Sequence, residues 1–143
     1  MSTTNRASAR YEGFGKSGQG HISTGSGAMS EQPYGFQTRF EDDAGTNPEE
    51  LIAAAHASCF TMALSFMLAE EGFMGGTLET HAEVTLEEDG DSFKVTKSAL
   101  STKGSIEDMD QSKFEELAGK AKENCPISKL LDCEITLETS FSS

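Results

Sequence analysis

The stretch NPEELIAAAHASCF (residues 47–60) decides the fold, because it opens the one long helix that the sequence predicts. Asn47 suits a helix N-cap, Pro48 the first helical position, and Glu50 the third position of a capping box. The residues at 51–69 are mostly apolar on every side, a pattern typical of a helix that is buried all round. One subunit of 143 residues can hardly surround such a helix, so we expect a homodimer with this helix near its centre.

The rest of the chain predicts strands and one further helix. Alternating apolar and polar residues predict strands at 9–14, 20–27, 81–88, 92–104 and 133–141, with an ordered connection at 32–45 and a hairpin turn at 89–91. A second helix is predicted from Asp108 to Asn124, followed beyond Pro126 by a turn of helix through Leu131. The expected fold class is therefore α+β, an antiparallel sheet packed on a central buried helix in a single domain, residues 1–143.

Composition excludes several classes of function. The chain has 24 acidic and 11 basic residues and a net charge of −13, so it repels nucleic-acid backbones and anionic lipid. The N-terminal MSTTNRASAR has no apolar run typical of a secretory signal. No segment is expected to provide the roughly 20 apolar residues of a membrane span. These features predict a cytoplasmic protein with no nucleic-acid or membrane partner.

The mid-helix cysteine, Cys59, is the first candidate for chemistry. The three cysteines of the chain are widely spaced and odd in number, which does not indicate a disulfide scaffold. A single cysteine in a helix is most often inert packing, and its ordinary pKa of about 8.5 leaves little thiolate at neutral pH. Cys59 lies 12 residues beyond the helix cap, where the helix dipole has faded. A reactive Cys59 therefore needs a cation from elsewhere in the protein.

Arg39 is the best candidate for that cation. The other two arginines, Arg6 and Arg10, lie in the N-terminal tail and the first predicted strand, whereas Arg39 precedes the long helix. An arginine stays charged even in a dry pocket. Glu49 is a candidate anchor by bidentate pairing, although a carboxylate there also suits the first turn of a helix.

Geometry constrains this assignment. Ten residues of helix span about 15 Å. Arg39 therefore reaches both Glu49 and Cys59 only if the helix start bends inward or two subunits contribute. The alternative for Arg39 is a surface ion pair with Glu41 or Asp42.

Cys125 is the candidate second thiol. It continues an apolar stripe of the second helix, Phe114, Leu117, Ala118 and Ala121, and it lies at the break imposed by Pro126. A sulfenic acid formed at one cysteine is trapped as a disulfide by a nearby second thiol. Spacing alone does not bring Cys125 to Cys59, which is 66 residues away. Cys133 shares the parity of the inward-facing residues of the last strand and is interpreted as packing.

His56 suggests two alternatives to redox chemistry at Cys59. It lies three residues before Cys59 on the same helical face and suggests a Cys–His acyl-transfer pair, although no oxyanion-hole loop or orienting residue is evident. Metal binding by His56, Cys59 and Cys125 is equally weakly supported, because the chain lacks a CxxC or HxxxH nucleus.

The sequence resembles a known family. NPEELIAAAHASCFTMALS, with PYGFQTRF before it and NCPISKLL after it, resembles the OsmC subfamily of the OsmC/Ohr peroxide reductases over nearly the whole chain. The resemblance implies that Cys59 is the peroxidatic and Cys125 the resolving cysteine, with Arg39 and Glu49 as the activating pair. It also implies an intertwined α+β homodimer with sites at the subunit interface.

The implied function is reduction of organic hydroperoxides, and less well of hydrogen peroxide, to alcohols in oxidative or osmotic stress defence. The family uses no bound cofactor or metal and is recharged by an external dithiol, including lipoylated proteins. Phe36, Phe60 and Met62 are candidates for an apolar lining that favours alkyl peroxides. The alternative is a dimer that senses peroxide or binds a hydrophobic ligand without turnover.

Overall fold

The computed structural model describes all 143 residues, which fall into two units, Met1–Leu51 and Ile52–Ser143. The first unit holds an antiparallel sheet of three strands, β1 (Ala7–Glu12), β2 (Gln19–Thr24) and β3 (Gln32–Tyr34), followed by helix α1 (Phe36–Phe40). The short elements β3 and α1 lie within the segment predicted only as an ordered connection.

The second unit contains most of the long helix α2 (Pro48–Glu70), which begins in the first unit, and all the remaining elements. These are β4 (Thr77–Asp89), β5 (Ser92–Ser105), α3 (Gln111–Asn124), α4 (Pro126–Leu130) and β6 (Glu134–Ser142). The protein is thus a mixed α+β fold with two small sheets, and its strands and helices lie close to the predicted positions.

The sheet of the second unit differs from the antiparallel expectation. Strands β4 and β5 form the predicted antiparallel hairpin, and Gly90 adopts the left-handed conformation (φ 65°) that a tight hairpin turn favours. Strand β6, however, pairs with β5 in parallel. The two helices α3 and α4 connect β5 to β6 and return the chain to the starting end of β5, which is the connection that a parallel pair requires.

Both ends of α2 follow the sequence signals, with one difference at the start. The Asn47 side chain accepts a hydrogen bond from the Glu50 N–H at 2.8 Å, so Asn47 caps the helix as predicted. The Glu50 carboxylate accepts a hydrogen bond from the Thr46 hydroxyl at 2.7 Å instead of closing a capping box. At the other end Gly72 (φ 93°) allows Phe73 N–H to bond the Leu68 carbonyl at 3.0 Å, as in a Schellman motif.

The core of the second unit is formed by α2, α3 and β5, together with Cys125. The α3 stripe that the sequence predicts is buried, and so are His56, Phe60, Leu64 and Leu68 of α2, which repeat every four residues. The opposite face of α2 is open within this chain: Met62 is 60% and Phe66 is 67% exposed. Burial on all sides of α2 therefore does not occur within one subunit.

Helix α2 also corrects the expectation that no segment approaches the dimensions of a membrane span. Its 23 residues, with a mean hydropathy of 1.7 over the most apolar window, are long and apolar enough to cross a bilayer by length and composition alone. Core helices of proteins that never enter a membrane meet the same two criteria. The exposed apolar face of α2 therefore has no cover within the single chain.

Candidate active site

The first unit contains a fixed guanidinium–carboxylate pair. Arg39, in α1, donates from Nε to Glu49 Oε1 at 2.7 Å and from Nη2 to Oε2 at 2.8 Å. This is the bidentate geometry that gives an Arg–carboxylate pair both strength and orientation. The hydrogen bonds to Glu49 raise the pKa of Arg39 above its ordinary value, partial burial opposes them, and the guanidinium stays charged. The guanidinium carbon also lies 5.7 Å from the centroid of the Phe40 ring.

Short-range hydrogen bonds hold α1 and the start of α2 together around this pair. The Thr38 hydroxyl accepts from the Gly35 N–H at 2.8 Å and fixes the first turn of α1. The Asn47 side-chain amide donates to the Thr38 carbonyl at 2.9 Å, while its oxygen caps α2. A single residue therefore bridges the helix that carries Arg39 and the helix that carries Glu49, which explains how a five-residue helix keeps its arginine in place.

The second unit brings two of its cysteines together. Cys59, half-buried on α2, and Cys125, fully buried at the junction of α3 and α4, are neighbours, and the Cys125 thiol raises the pKa of Cys59. The backbone N–H of Ile127 also donates to the Cys59 sulfur. Residues separated by 66 positions in the sequence thus lie side by side, and both thiols are free.

The groups that surround Cys59 in the second unit do not favour ionisation of its thiol. Burial is the largest cause that raises the pKa of Cys59 above its ordinary value, and the hydrogen bond with Cys125 raises it further. Only the Ile127 N–H lowers the pKa, and it does not reverse the shift. A nucleophilic Cys59 therefore requires a positive charge beyond the groups that surround it in the second unit.

The position of Cys125 follows from the proline after it. Pro126 disfavours helical backbone at Cys125, which adopts φ −59° and ψ 126°, and α3 ends there. The Cys125 N–H still bonds the Ala121 carbonyl at 2.9 Å, and its carbonyl accepts from Lys129 N–H at 3.1 Å. The thiol consequently lies at a helix break while its backbone is held on both sides.

His56 is the one buried histidine, and the sequence did not disclose its partners. Its Nδ1 lies 2.6 Å from the hydroxyl of Ser98 in β5, and its Nε2 lies 2.8 Å from the hydroxyl of Ser128 in α4. Burial lowers the pKa of His56 and favours the neutral ring. Both nitrogens are therefore occupied, and neither is left to take the Cys59 proton as a Cys–His pair requires. Ser98 and Ser128 are 42 and 72 residues away, so no local pattern predicts these contacts.

The other predicted residues lie in different settings. Phe60 is fully buried in the core, whereas Met62 is exposed. Phe36 packs against Phe40 of α1 with ring centroids 5.1 Å apart. Cys133 lies one residue before β6, half-buried, and burial followed by the charge of Asp132 raises its pKa.

No group of three or more His, Cys, Asp or Glu side chains is placed to hold a metal ion. The described cavities include an open depression of about 500 Å³ on the exposed face of α2, lined among others by Ala57, Thr61 and Met62. The candidate functional groups are therefore a charged, anchored arginine in the first unit and a thiol pair in the second.

An α+β fold with a long cysteine-bearing helix and a second, buried cysteine beside it defines a class of thiol proteins, and the comparisons identify the family. A family model described as OsmC-like protein matches residues 41–140, which is more than half of the chain. The chain belongs to this family.

Two relatives in sequence and one solved structure support the same membership. The chain is 47% identical over 143 residues to Peroxiredoxin OsmC of Escherichia coli, with 100% of both chains covered. It is 31% identical over 111 residues to the organic hydroperoxide resistance protein OhrB of Bacillus subtilis, covering 77% of this chain and 79% of OhrB. The crystal structure of OhrB from the same organism matches with a TM-score of 0.70 at 28% identity, covering 97% of this chain and 98% of that one.

Proposed function

We propose that this protein reduces organic hydroperoxides to alcohols through a Cys59 sulfenic acid and a Cys59–Cys125 disulfide. The enzyme class follows from the family, whose named relatives are a peroxiredoxin and organic hydroperoxide resistance proteins: the chain is a peroxidase. The observation that carries the proposal is that the buried Cys125 thiol neighbours the half-buried Cys59 thiol and raises its pKa.

The proposed cycle has three balanced steps. The Cys59 thiolate attacks the distal peroxide oxygen, the O–O bond breaks, and the departing alkoxide takes a proton to become the alcohol. The Cys59 sulfenic acid then condenses with the Cys125 thiol, which forms the S–S bond, breaks the S–O bond and releases water. An external dithiol finally reduces the disulfide by exchange and is itself oxidised to a disulfide.

Arg39 and Glu49 are proposed as the activating pair. Because burial raises the pKa of Cys59, the reaction needs a cation that stabilises the thiolate and the developing alkoxide. A guanidinium whose Nε and Nη2 are fixed by Glu49 is suited to this role, since its orientation is set before the peroxide arrives. We propose that Arg39 acts on Cys59 in the assembled protein, whichever subunit supplies it.

A second copy of the chain is the proposed cover for the open face of α2. That face presents Met62 and Phe66 to solvent in the single chain, and exposed apolar area of this kind marks an interaction surface. We propose a cytoplasmic homodimer in which α2 packs near the two-fold axis. Sedimentation without detergent tests this assembly: a dimer is expected, and a monomer or a detergent requirement contradicts it.

The proposed reductant is an external dithiol, including a lipoylated protein, and no bound cofactor or metal takes part. The disulfide that forms between Cys59 and Cys125 is the only group that the dithiol has to reduce. A protein that merely senses peroxide becomes oxidised once, whereas an enzyme turns over repeatedly when dithiothreitol or a lipoyl reductant is present.

Mass spectrometry after one equivalent of cumene hydroperoxide tests the proposal. The expected product is a Cys59–Cys125 crosslink together with one equivalent of the alcohol. The Cys125→Ser variant is expected to release one alcohol per subunit and then to stall, because its sulfenic acid has no resolving thiol. Alcohol release by the parent chain without a Cys59–Cys125 crosslink would show that the two-cysteine scheme is wrong.

A further inference from the structure

His56 forms a buried, neutral cross-link between three elements. It lies one turn before Cys59 on α2, it is fully buried, and its two ring nitrogens bond Ser98 of β5 and Ser128 of α4. A neutral imidazole has one donor and one acceptor, and a hydroxyl can play either part, so both serines are satisfied in either tautomer. The cross-link therefore needs no net charge in the core.

Helix α4 needs contacts with other elements to stay in place. It has only five residues, Pro126–Leu130, which is too short for a helix to be stable by itself. Its outer residues are open to solvent, and Leu130 is 74% exposed. The inner residues Ile127 and Ser128 are half-buried, and the Ser128 hydroxyl bonds His56 Nε2 at 2.8 Å.

The segment that leads into Ser128 is also the segment that contacts the reactive sulfur. Within four residues, Cys125 contributes its thiol to Cys59, Ile127 contributes its backbone N–H to Cys59, and Ser128 bonds the histidine one turn away. The side of α2 that carries His56 and Cys59 thus holds residues 125–128 at two neighbouring points, one of them the reaction centre.

We propose that His56 is a positioning residue which, through Ser128, holds the Cys125–Ile127 segment against the Cys59 sulfur and thereby sets the rate of disulfide closure. The inference rests on the proposed function, because the disulfide is the one between Cys59 and Cys125. Closure brings the sulfurs from contact to a bond of about 2.05 Å, and a small misplacement of the segment slows such a step steeply.

The test compares the two serines, which occupy the two nitrogens of the same ring. Ser128→Ala removes the tether to α4, and Ser98→Ala removes the tether to β5, so both variants lose one bond of similar length to His56. Closure is measured by trapping free thiols with a mass label at successive times, and the melting temperature is recorded for each variant. Ser128→Ala is expected to close about tenfold more slowly, whereas Ser98→Ala stays within about twofold of the parent although both melt earlier.

Two further variants separate positioning from general destabilisation. Ser128→Thr keeps the hydroxyl and is expected to restore rapid closure. His56→Gln is expected to slow closure in the parent chain but to add little slowing in Ser128→Ala, because the two residues act as one unit. Equal closure rates in Ser128→Ala and Ser98→Ala, or additive effects of His56→Gln and Ser128→Ala, would overturn the inference.

Each measurement is made with cumene hydroperoxide and also with diamide, an azodicarboxamide that takes two electrons and two protons from a thiol pair. Diamide closes the disulfide without a peroxide step, so it tests the positioning role independently of the enzyme activity. Slower diamide closure in Ser128→Ala together with no reaction with hydroperoxide would support the inference and refute the proposed function. Hydroperoxide turnover together with an unchanged rate of disulfide closure in Ser128→Ala would support the proposed function and refute the inference.

Discussion

The two units of this protein differ in the reactive groups that they carry. All three arginines lie in Met1–Leu51, and all three cysteines lie in Ile52–Ser143. In the first unit, the Arg39 guanidinium donates two hydrogen bonds to the Glu49 carboxylate, but this unit has no thiol. The second unit joins two thiols but surrounds Cys59 with groups that raise its pKa.

The charged pair and the thiol pair thus lie in different units. In the second unit, burial and the neighbouring Cys125 thiol raise the pKa of Cys59, which opposes thiolate formation there. The Arg39–Glu49 pair is arranged to present a charge. In the proposed enzyme, reactivity arises only where the charge of one unit acts on the sulfur of the other.

The largest effect is expected from removing the nucleophile. Cys59→Ser is expected to abolish alcohol formation from cumene hydroperoxide, because a serine hydroxyl is not ionised at neutral pH. Cys133→Ser is the matched control, since it removes a half-buried thiol of the same unit that is separate from the thiol pair. The measurement is alcohol yield per subunit with dithiothreitol present. Turnover that survives in Cys59→Ser would show that this cysteine of the second unit is not the nucleophile.

A smaller but still large effect is expected from the charge-bearing half. Arg39→Ala is expected to lower kcat/KM by about 10²–10³, the range for losing one preorganised group that stabilises developing negative charge. Glu49→Gln leaves the cation but weakens its anchoring, so we expect a loss of about tenfold. Arg10→Ala is the control, because Arg10 forms exposed ion pairs with Glu12 and Glu31 in the same unit. A loss in Arg10→Ala equal to that in Arg39→Ala would point to the net charge of the unit instead of the anchored guanidinium.

The smallest effect concerns stability. Burial lowers the pKa of His56, so at pH values below the ordinary histidine pKa of 6.5 the unfolded chain binds a proton that the folded chain does not. The contribution of neutral His56 to the free energy of unfolding is therefore fully present above pH 6.5. It falls as the pH drops towards the lower pKa of the folded state, by at most about 1.4 kcal/mol per pH unit. Urea unfolding at pH 7.5, 6.5 and 5.5 measures this fall, and His56→Gln is expected to flatten it. Identical slopes in the two chains would contradict a neutral, buried His56.

The sequence predicts those parts of the fold that have local signals. Asn47 and Pro48 mark the start of α2, the apolar stripe of α3 leads to Cys125, and Gly90 marks the β4–β5 turn. The family itself is readable from the motif around Cys59. The parallel pairing of β6 was mispredicted because alternation shows that a strand exists but not the direction of its neighbour.

The long-range contacts of the site had no such signal. The cross-link from His56 to Ser98 and Ser128 depends on where β5 and α4 pack, and serines carry no pattern that marks them as partners of a distant histidine. The proximity of Cys59 and Cys125 likewise came from the family resemblance and not from spacing. Apolar composition predicted that all faces of α2 are covered, but composition does not tell whether the same chain or another provides the cover.

The most direct test of the account is the pKa of Cys59 with and without the guanidinium of the first unit. It is measured from the pH dependence of alkylation in full-length Cys125→Ser/Cys133→Ser chains, in which Cys59 is the only thiol, with Arg39 intact or replaced by alanine. We predict a pKa below the ordinary value of about 8.5 when Arg39 is present and a rise of at least about one unit in Arg39→Ala. The same pKa in both chains would contradict the claim that the charge of one unit ionises the sulfur of the other.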